Sequence, residues 1–542
     1  MNMRDVSILT QLKTNWKSAL SVALVSVPLS LSLGIASGAG PVMGIITAII
    51  AGLVAGMFGG SRFNIVGPAG ALSGILAGYA LIYGPSILPI IALVSGVLIL
   101  IIWALKWDKY LIFVPSSVVH GFTLGVALTI GFGQLNFALG ISGLPTHEHL
   151  IQNIFETLSH IGLTQWASLM TFAVGVAVMF GLLKWKPRLP NTVILAILGI
   201  GFGYAASTGM LGDFTIPTLF TKYGDLSLTN FSLLSISKGM FVPAILSMSA
   251  VVAFVVVLET LISAKVADGM TKTKFNQRRE VLGVGFANIA SGVFGGMPAS
   301  GVFARTSINV RSGATSNWSQ ILNALFVAII SIVFLSYFKY IPLAVIGAIL
   351  VYAAVRMVTL EHFKKLLHHD RAALYNALAI AAITVVYDAT AGIVVGMLVA
   401  LFIFARRFSV ATSNITVHCN GTQCDINDID GETIKEGVVI YRFGGELTYV
   451  NAKAHTDRLH EISSNKAIVL NMKNLFSIDA DGIEALDEII EDFIARKQTF
   501  YIAGARPHIH EFLKQHQWFC DIHDTNKIAP TTFDALRAIE NK

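Results

Sequence analysis

Long apolar stretches recur from Ser18 to Phe408 and constrain the fold of this chain more than any other feature. A hydrocarbon core about 30 Å thick requires roughly 20 apolar residues per helical crossing, and about fourteen such segments can be placed. The composition agrees, because 54% hydrophobic and 13% charged residues are too apolar for a water-soluble domain. The sequence therefore predicts an α-helical polytopic membrane protein, with a transmembrane domain over residues 18–409 after an N-terminal segment, residues 1–17.

Lysine and arginine predict how the chain is oriented. Connections rich in these residues alternate with connections that have few, and the segment from Ser142 to Gly162 has none. Since basic loops stay on the cytoplasmic side, both termini are expected in the cytoplasm, with the protein in the cell (inner) membrane. The formal net charge of +6 reflects this asymmetry and an anionic lipid leaflet, so no nucleic-acid partner is expected. The polar start, MNMRDVSILTQLKTNW, does not resemble a removable signal peptide.

The composition changes after Arg407, where a polar stretch lacks helical periodicity. We expect a linker over residues 410–436 and a small α/β domain over residues 437–542. In that domain GVVIYRFGG, KAIVLNMKNL and TFYIAGA are typical of strands, and DADGIEALDEIIEDFIARK has the apolar spacing of a helix.

A faint internal duplication is typical of membrane proteins built from inverted repeats. Each half has a Gly-Gly signal and then a proline, Pro68 or Pro298, that we expect to open a helix. Two half-helices that begin inside the membrane would direct their N–H groups at one point and favour an anion there. The alternative is that these glycines and prolines only pack helices. The echoed segments are Ala55–Gly60 with Ser291–Gly296, and Gly67–Ala71 with Met297–Gly301.

Two ionisable residues lie inside apolar segments, where a charge costs at least about 2.5 kcal/mol. Arg305 follows the second proline motif, roughly two turns into the expected helix, and would add to its attraction for an anion. Glu259 lies in a continuous apolar helix, where burial favours its protonated form, so it is a candidate proton carrier. The alternative is a structural ion pair between the two residues.

These motifs resemble the SulP family, equivalent to solute carrier family 26, over nearly the whole chain. The resemblance is carried by VPLSLSLGIASGAGPVMG at Val27–Gly44, FGGSRFNIVGPAGA at Phe58–Ala71 and VHGFTLG at Val119–Gly125, and most of all by the long run from Glu259 to Ala314. It implies fourteen spans in a 7+7 inverted repeat with core and gate subdomains, an elevator-like motion and a homodimer. It also implies substrate-binding residues, which are Ala69, Gly70, Ala71, Phe303, Ala304 and Arg305.

The C-terminal domain resembles the STAS domain that follows the spans in this family, through AIVLNMKNLFSIDADGIEAL at Ala467–Leu486. Related anti-sigma-factor antagonists carry a phosphorylatable serine where this chain has Asp481. We therefore expect no phosphorylation switch at this position, and Asp481 acts either as a regulatory residue or simply as a helix cap. A cytoplasmic regulator could bind this domain.

The family transports sulfate, bicarbonate, halides and dicarboxylates, and the resemblance leaves the anion open. Sodium-coupled members have Asp and Thr where this chain has Glu259 and Ser263, which favours proton symport over sodium symport. A passive anion channel, an exchanger and a purely sensory protein are the alternatives. No phosphate-binding G-x-x-x-x-G-K-[ST] motif is present, and His508 and His510 lack neighbouring ligands in the sequence, so an ATP-driven pump, an enzyme, a cofactor and a metal site are not expected.

Overall fold

The computed structural model of the protein divides into two compact units, Met1–Ala400 and Leu401–Lys542. The residues that the structure describes are 8–109, 115–145, 147, 149–185, 190–210, 215–226, 244–387, 389–408, 413–419, 422–425, 438–460 and 467–541.

The first unit is helical apart from two very short strands. Its helices are apolar along most of their lengths, and several begin where proline sets the helical backbone, as Pro41 does at the first position of the second helix. The elements are α1 (Ile8–Ala36), α2 (Pro41–Phe58), β1 (Val66–Gly67), α3 (Gly70–Tyr83), α4 (Ile87–Ala104), α5 (Ser116–Phe132), α6 (Leu135–Leu139), α7 (Leu150–Ser159), α8 (Trp166–Trp185), α9 (Asn191–Ser207), α10 (Leu219–Tyr223), α11 (Ala244–Thr271), α12 (Gln277–Val293), β2 (Ser300–Gly301), α13 (Phe303–Arg311), α14 (Trp318–Phe338), α15 (Leu343–Met357), α16 (Leu360–His369), α17 (Arg371–Val386) and α18 (Ala389–Phe408).

The predicted membrane architecture is confirmed by the lengths and compositions of these helices. Among the described residues, eight helical segments are long and apolar enough to cross a membrane: α1, α2, α4, α8, α11, α14, the segment Ser117–Leu139 that joins α5 to α6, and the segment Leu343–His369 that joins α15 to α16. Helices α3, α9, α17 and α18 are shorter apolar helices. The number of fourteen spans stays a prediction. Helix α1 begins at Ile8, so the first helix starts within the range 1–17 that was expected as a separate segment.

The helices of the first unit pack in two groups. Helices α1 to α4 and α11 to α14 form one group, in which α12 packs on α2 and α4, and α1 packs on α2 and α14. Helices α5, α6, α8, α9, α15 and α17 form the other, in which α15 packs on α5 and α8. We call these the core group and the gate group. Glycines permit the closest approaches, since a Cβ at Gly283 of α12 would lie 2.6 Å from the Gly59 backbone.

The second unit is an α/β domain with its own apolar core. Strands β5 and β6, helix α20 and strand β7 lie where the sequence predicted them. The sheet order is β4-β3-β5-β6-β7-β8, parallel from β5 to β8 and antiparallel at β3 and β4. The elements are β3 (Ser413–Cys419), β4 (Thr422–Asp425), β5 (Val438–Leu447), α19 (Ala452–His460), β6 (Ile468–Ile478), α20 (Ala480–Ala495), β7 (Phe500–Ala503), α21 (Pro507–Leu513), α22 (Gln517–Asp524), β8 (Ile528–Ala529) and α23 (Thr532–Glu540).

Strands β3 and β4 lie inside the range 410–436 that was expected as a linker. Strand β3 pairs with β5 from Ser413 to His418, so this stretch extends the sheet of the C-terminal domain. Its alternation of β-branched and polar residues is short, which is why periodicity alone did not separate it from a loop.

Candidate functional site

A two-stranded antiparallel ladder joins the two halves of the membrane unit. Val66 pairs with Gly301 and Gly67 pairs with Ser300, so β1 and β2 lie side by side in the core group. Helix α3 begins three residues after β1, and helix α13 begins two residues after β2. The ladder therefore places the first turns of α3 and α13 at one location, as the predicted meeting of two half-helices requires.

The two prolines do not open these helices. Pro68 precedes the first residue of α3, Gly70, by two positions, and Pro298 precedes the first residue of α13, Phe303, by five. In both halves the chain first passes through an extended strand, and this strand sets the position of the helix. The two prolines therefore do not occupy equivalent positions in the structural repeat. The equivalent residues are Gly67 and Gly301, each of which is the last residue of its strand.

The first turn of each helix is uncapped. Ala69 and Val302 are the N-cap residues of α3 and α13, and neither supplies a side-chain hydrogen bond to its helix. The leading N–H groups of a helix have no partner within the helix, and together with its dipole they attract an anion. The site thus has two sets of available N–H donors.

The six residues predicted to bind substrate differ in their exposure. Ala69 and Ala71 are buried, Gly70 is half-buried, and Phe303 and Ala304 are exposed. The two exposed residues make the α13 side of the site accessible to solvent, whereas the α3 side is covered.

Gate-group side chains cover the α3 side of the site. A Cβ at Gly70 would lie 2.7 Å from Met357 Sδ and 3.5 Å from Ile130 Cδ1. Met357 ends helix α15 and Ile130 lies in α5, so both belong to the gate group. The absence of a side chain at Gly70 is therefore what lets the gate group approach the first turn of α3.

Arg305 is the third residue of α13, closer to the helix start than the sequence predicted, and only 1% of it is exposed. Its Nε and Nη2 are buried, and they have no hydrogen-bond partner within the part of the chain that the structure describes. An arginine carries five N–H donors, and leaving them unpaired in a buried place is costly. The guanidinium is therefore free to bind an anion.

Arg305 also reaches across to the other half of the protein. A Cβ at Gly67 of β1 would lie 2.8 Å from Arg305 Nη1, so the missing side chain at Gly67 makes room for the guanidinium. The positive charge of the second half consequently lies beside the segment that leads into α3 in the first half.

Glu259 does not pair with Arg305, and the alternative of a structural ion pair is wrong for this conformation. The Glu259 carboxylate instead accepts a hydrogen bond from the Ser300 hydroxyl. Ser300 lies in β2 opposite Gly67, so Glu259 is connected to the same strand ladder as the guanidinium. Glu259 is partly exposed, whereas Ser300 is buried.

Ser263 lies one helical turn after Glu259 on α11 and is 1% exposed. Its hydroxyl lies within donor distance of Asn64 Oδ1, at 2.7 Å, and of Thr306 Oγ1, at 3.0 Å. Thr306 in turn accepts a hydrogen bond from the Ile65 backbone at 2.9 Å. Ser263 is therefore held in a polar network that joins α11 and α13 to the segment before β1.

Glu280 is a functional candidate that the sequence analysis missed. It is 3% exposed, and its carboxylate accepts hydrogen bonds from the backbone N–H groups of Gly60 and Ser61, each at 2.7 Å, and from Asn64 Nδ2 at 2.7 Å. These partners lie more than 200 residues away, so no local pattern could reveal them. Its position in the polar start of α12, NQRREV, gives no local sign that the side chain is buried.

Asp481 is exposed in the first turn of α20, and the cap of that helix is a different residue. Asp479 Oδ1 accepts from the Gly482 N–H at 2.8 Å, and its Oδ2 accepts from the Tyr449 N–H at 3.0 Å. The capping role proposed for Asp481 thus belongs to Asp479, two residues earlier. Within the described residues, no group of three or more His, Cys, Asp or Glu side chains could hold a metal ion.

Two family models match the chain. The model of the sulfate permease family matches residues 12–382, and the STAS domain model matches residues 432–535. The chain is 30% identical to the putative sulfate transporter YvdB of Bacillus subtilis, covering 86% of this chain and 88% of the relative. It is 24% identical to the bicarbonate transporter BicA of Synechocystis, covering 80% and 77% respectively.

Solved structures agree with the fold. The chain matches SLC26A9 with a TM-score of 0.85 at 13% identity, over 99% of this chain and 91% of the other. It matches the transmembrane domain of a cyanobacterial BicA with a TM-score of 0.60 at 22% identity, over 74% and 98%. The fold and site define a multi-pass membrane anion transporter with a C-terminal STAS domain. The chain belongs to the sulfate permease family, whose members are transporters and not enzymes.

Proposed function

We propose that this protein is a secondary active transporter that carries one small anion together with a proton. The observation that carries the proposal is the buried, unpartnered guanidinium of Arg305 beside two uncapped helix N-termini. A buried charge without a partner is unfavourable in the empty protein, and an anion would supply the missing acceptors. The bound anion contacts Arg305 and the N–H groups of Gly70, Ala71, Phe303 and Ala304, and Ala69 lines the site.

Glu259 is the proton carrier in this mechanism. An ionised Glu259 and a bound anion would both be negative on one short strand ladder, and they repel each other in a medium of low dielectric constant. Protonation of Glu259 removes this repulsion, so a proton and an anion bind more favourably together than separately. Ser300 links the two, since it donates to Glu259 and pairs with Gly67 beside Arg305.

A proton fits this site better than sodium. Sodium prefers several oxygen ligands, and Ser263, the nearest candidate oxygen on α11, is already held by Asn64 and Thr306 at 2.7 and 3.0 Å. A proton requires one carboxylate only. Ser263 therefore acts as a positioning residue that fixes α11 against α13.

Transport proceeds by movement of the core group against the gate group. The binding site belongs entirely to the core group, and the gate group contacts it through Met357 and Ile130 at Gly70. Sliding of the core group past these two side chains would expose the site to one face of the membrane and then to the other. The transporter acts as a homodimer in the cell (inner) membrane, with both termini in the cytoplasm.

The substrate is an anion of the sulfate, bicarbonate or dicarboxylate class. The relatives that the chain resembles include proteins named as sulfate transporters and proteins named as bicarbonate transporters. Both anions are therefore the first candidates. The C-terminal domain binds a cytoplasmic regulator on the face that carries Asp481.

The test is uptake of labelled sulfate, bicarbonate and fumarate into liposomes, with and without an inward proton gradient. We expect one anion to accumulate above equilibrium only with the gradient. Glu259→Gln should lose accumulation and retain anion exchange, because a glutamine preserves the hydrogen bond and cannot release a proton. Uptake that ignores the gradient in both proteins would make the protein a channel or an exchanger and Glu259 a structural residue.

A further inference from the structure

A cavity of about 950 Å³ lies between the core group and the gate group. Its walls include Gly78 and Leu81 in the later part of α3, and Thr129 and Ile130 near the end of α5. It therefore adjoins the far end of the helix whose first turn forms the central site. Ser142 and Gly143, from the connection without lysine or arginine, also line it, which places the cavity on the predicted external side.

Lys222 of α10 is the one lysine, arginine, aspartate or glutamate among the residues that line this cavity within the described part of the chain. Its Nζ lies 4.6 Å from the ring centroid of Phe137 and 5.7 Å from that of Tyr223. No carboxylate of the described residues lies within ion-pair distance of it. The ammonium group rests on aromatic faces and keeps its hydrogen-bond donors open to the cavity.

A second lysine on the same side of the protein, Lys339, provides a comparison with Lys222. Lys339 Nζ lies 2.7 Å from Asp225 Oδ1, so its charge is neutralised by a carboxylate. It also lies over the rings of Phe220 and Tyr340, at 5.3 and 5.5 Å. The two lysines thus share an aromatic environment and differ in having a carboxylate partner.

The rest of the cavity wall supplies amide donors and little negative charge. Asn136 uses its Oδ1 to accept from Thr157 Oγ1 at 2.6 Å, which leaves its amide nitrogen as a donor. Gln165 also lines the cavity. His147, which lines the cavity, lies 3.6 Å from the Glu156 carboxylate, and that carboxylate also lies 3.4 Å from His160.

We infer that Lys222, with the amide groups of Asn136 and Gln165, forms an outer binding site for small anions. It attracts the substrate from the external solution and holds it at the far end of α3 before the central site opens. A single cation in a recess with low-dielectric walls raises the local concentration of an anion. The inference rests on the proposed function, because it names where the transported anion first binds.

The first experiment measures binding without transport. Right-side-out vesicles with the full-length protein are treated with sulfosuccinimidyl acetate, an amine reagent that does not cross membranes, and acetylation of each lysine is read by mass spectrometry. Sulfate, bicarbonate and fumarate should each be tried as the competitor. We expect at least one to suppress acetylation of Lys222 several-fold in a saturable manner, and to leave that of Lys339 unchanged. Equal protection of both lysines, or of neither, would overturn the inference.

The second experiment measures transport with a matched pair of variants. Lys222→Gln should raise the external KM about three- to tenfold, with the maximal rate within about twofold of native. Lys339→Gln should leave both unchanged. If Lys222 is protected and no anion is taken up, the outer site stands and the transport function fails. If proton-driven uptake is normal and Lys222 is neither protected nor important for KM, the outer site is wrong and the transport function stands.

Discussion

At the scale of single residues, the site is defined by side chains that lack partners. Among the described residues, Arg305 has no acceptor for two of its buried nitrogens, and Gly67 lacks the side chain that would fill the space beside the guanidinium. Gly70 lacks a side chain that would meet Met357 and Ile130. The sequence singled out Arg305 and Glu259 as candidates, because a charge inside an apolar segment is rare. It could not show whether they pair, since their contacts depend on the strand ladder between the two halves.

The substitution Arg305→Met tests whether this arginine binds the anion or instead stabilises the fold. Methionine has a similar length and no charge, so it removes an unpaired buried guanidinium. We expect the variant to be about 1–4 kcal/mol more stable than the native protein, and to transport no anion. Thermal unfolding of the purified protein measures its stability, and uptake into liposomes measures its transport of the anion. Sulfate or another transported anion should raise the unfolding temperature of the native chain and not of the variant. A destabilised variant would show that Arg305 already has a partner that stabilises it.

His455 predicts how the stability of the C-terminal unit depends on pH. It is 1% exposed and hydrogen-bonded to the Tyr441 hydroxyl at 2.7 Å. Burial, with a smaller contribution from the charge of Arg458, lowers the pKa of His455 to about 4. An unfolded histidine titrates near pH 6.5, so between these values only the unfolded chain binds the proton. The unit is therefore most stable above pH 6.5, and it should lose roughly 2–3 kcal/mol as the pH falls from 6.5 to 4.

Urea unfolding of a fragment with residues 413–542, followed by the fluorescence of Trp518, measures this dependence. His455→Gln should remove most of the slope between pH 6.5 and 4. The exposed His523 supplies the control, and His523→Gln should keep the native slope. An unchanged slope in His455→Gln would assign the pH dependence to other groups.

At the scale of secondary structure, the deciding element is the ladder of β1 and β2, only two residues long on each side. The sequence predicted two half-helices that meet, and the ladder brings the first turns of α3 and α13 together. That these helices begin inside the membrane stays a prediction. The sequence analysis misplaced the starts of these helices at Pro68 and Pro298, because proline is a stronger sequence signal than a short strand that contains glycine. Strands of two residues have no periodicity, and their pairing partner lies more than 200 residues away. Strands β3 and β4 of the C-terminal sheet were missed for a similar reason.

Helix packing in the core group depends on close approaches that only glycine permits. A Cβ at Gly44 of α2 would overlap the Ser30 backbone oxygen of α1, whereas a Cβ at Gly181 of α8 would meet nothing within 4 Å. Gly44→Ala should therefore destabilise the protein by about 1–3 kcal/mol through forced separation of α1 and α2. Gly181→Ala should be neutral or stabilising by up to about 1 kcal/mol, because alanine favours the helix. Thermal unfolding in detergent compares the two, and equal effects would contradict the packing.

At the scale of the whole molecule, composition predicted the division into a membrane unit and an α/β unit. The long apolar segments of the first unit differ strongly from the more polar sequence that follows them. Composition did not predict which helices form the core group and which form the gate group, because that grouping depends on which apolar helix faces pack together. The first turn of α3, in the core group, meets the gate group where Gly70 faces Met357 and Ile130. In the mechanism that we propose, anion binding by Arg305 and proton coupling by Glu259 take place at separate positions along one strand ladder.

The most direct test of proton–anion coupling is the pH inside liposomes when sulfate or fumarate is added outside without a preset proton gradient. The membrane potential is clamped with potassium and valinomycin, and a trapped dye reports the internal pH. We predict that the interior acidifies as the labelled anion enters, and that Glu259→Gln abolishes the acidification. Entry of the labelled anion with no change of internal pH in the native protein would contradict coupled symport and assign the protein to exchange or passive conduction.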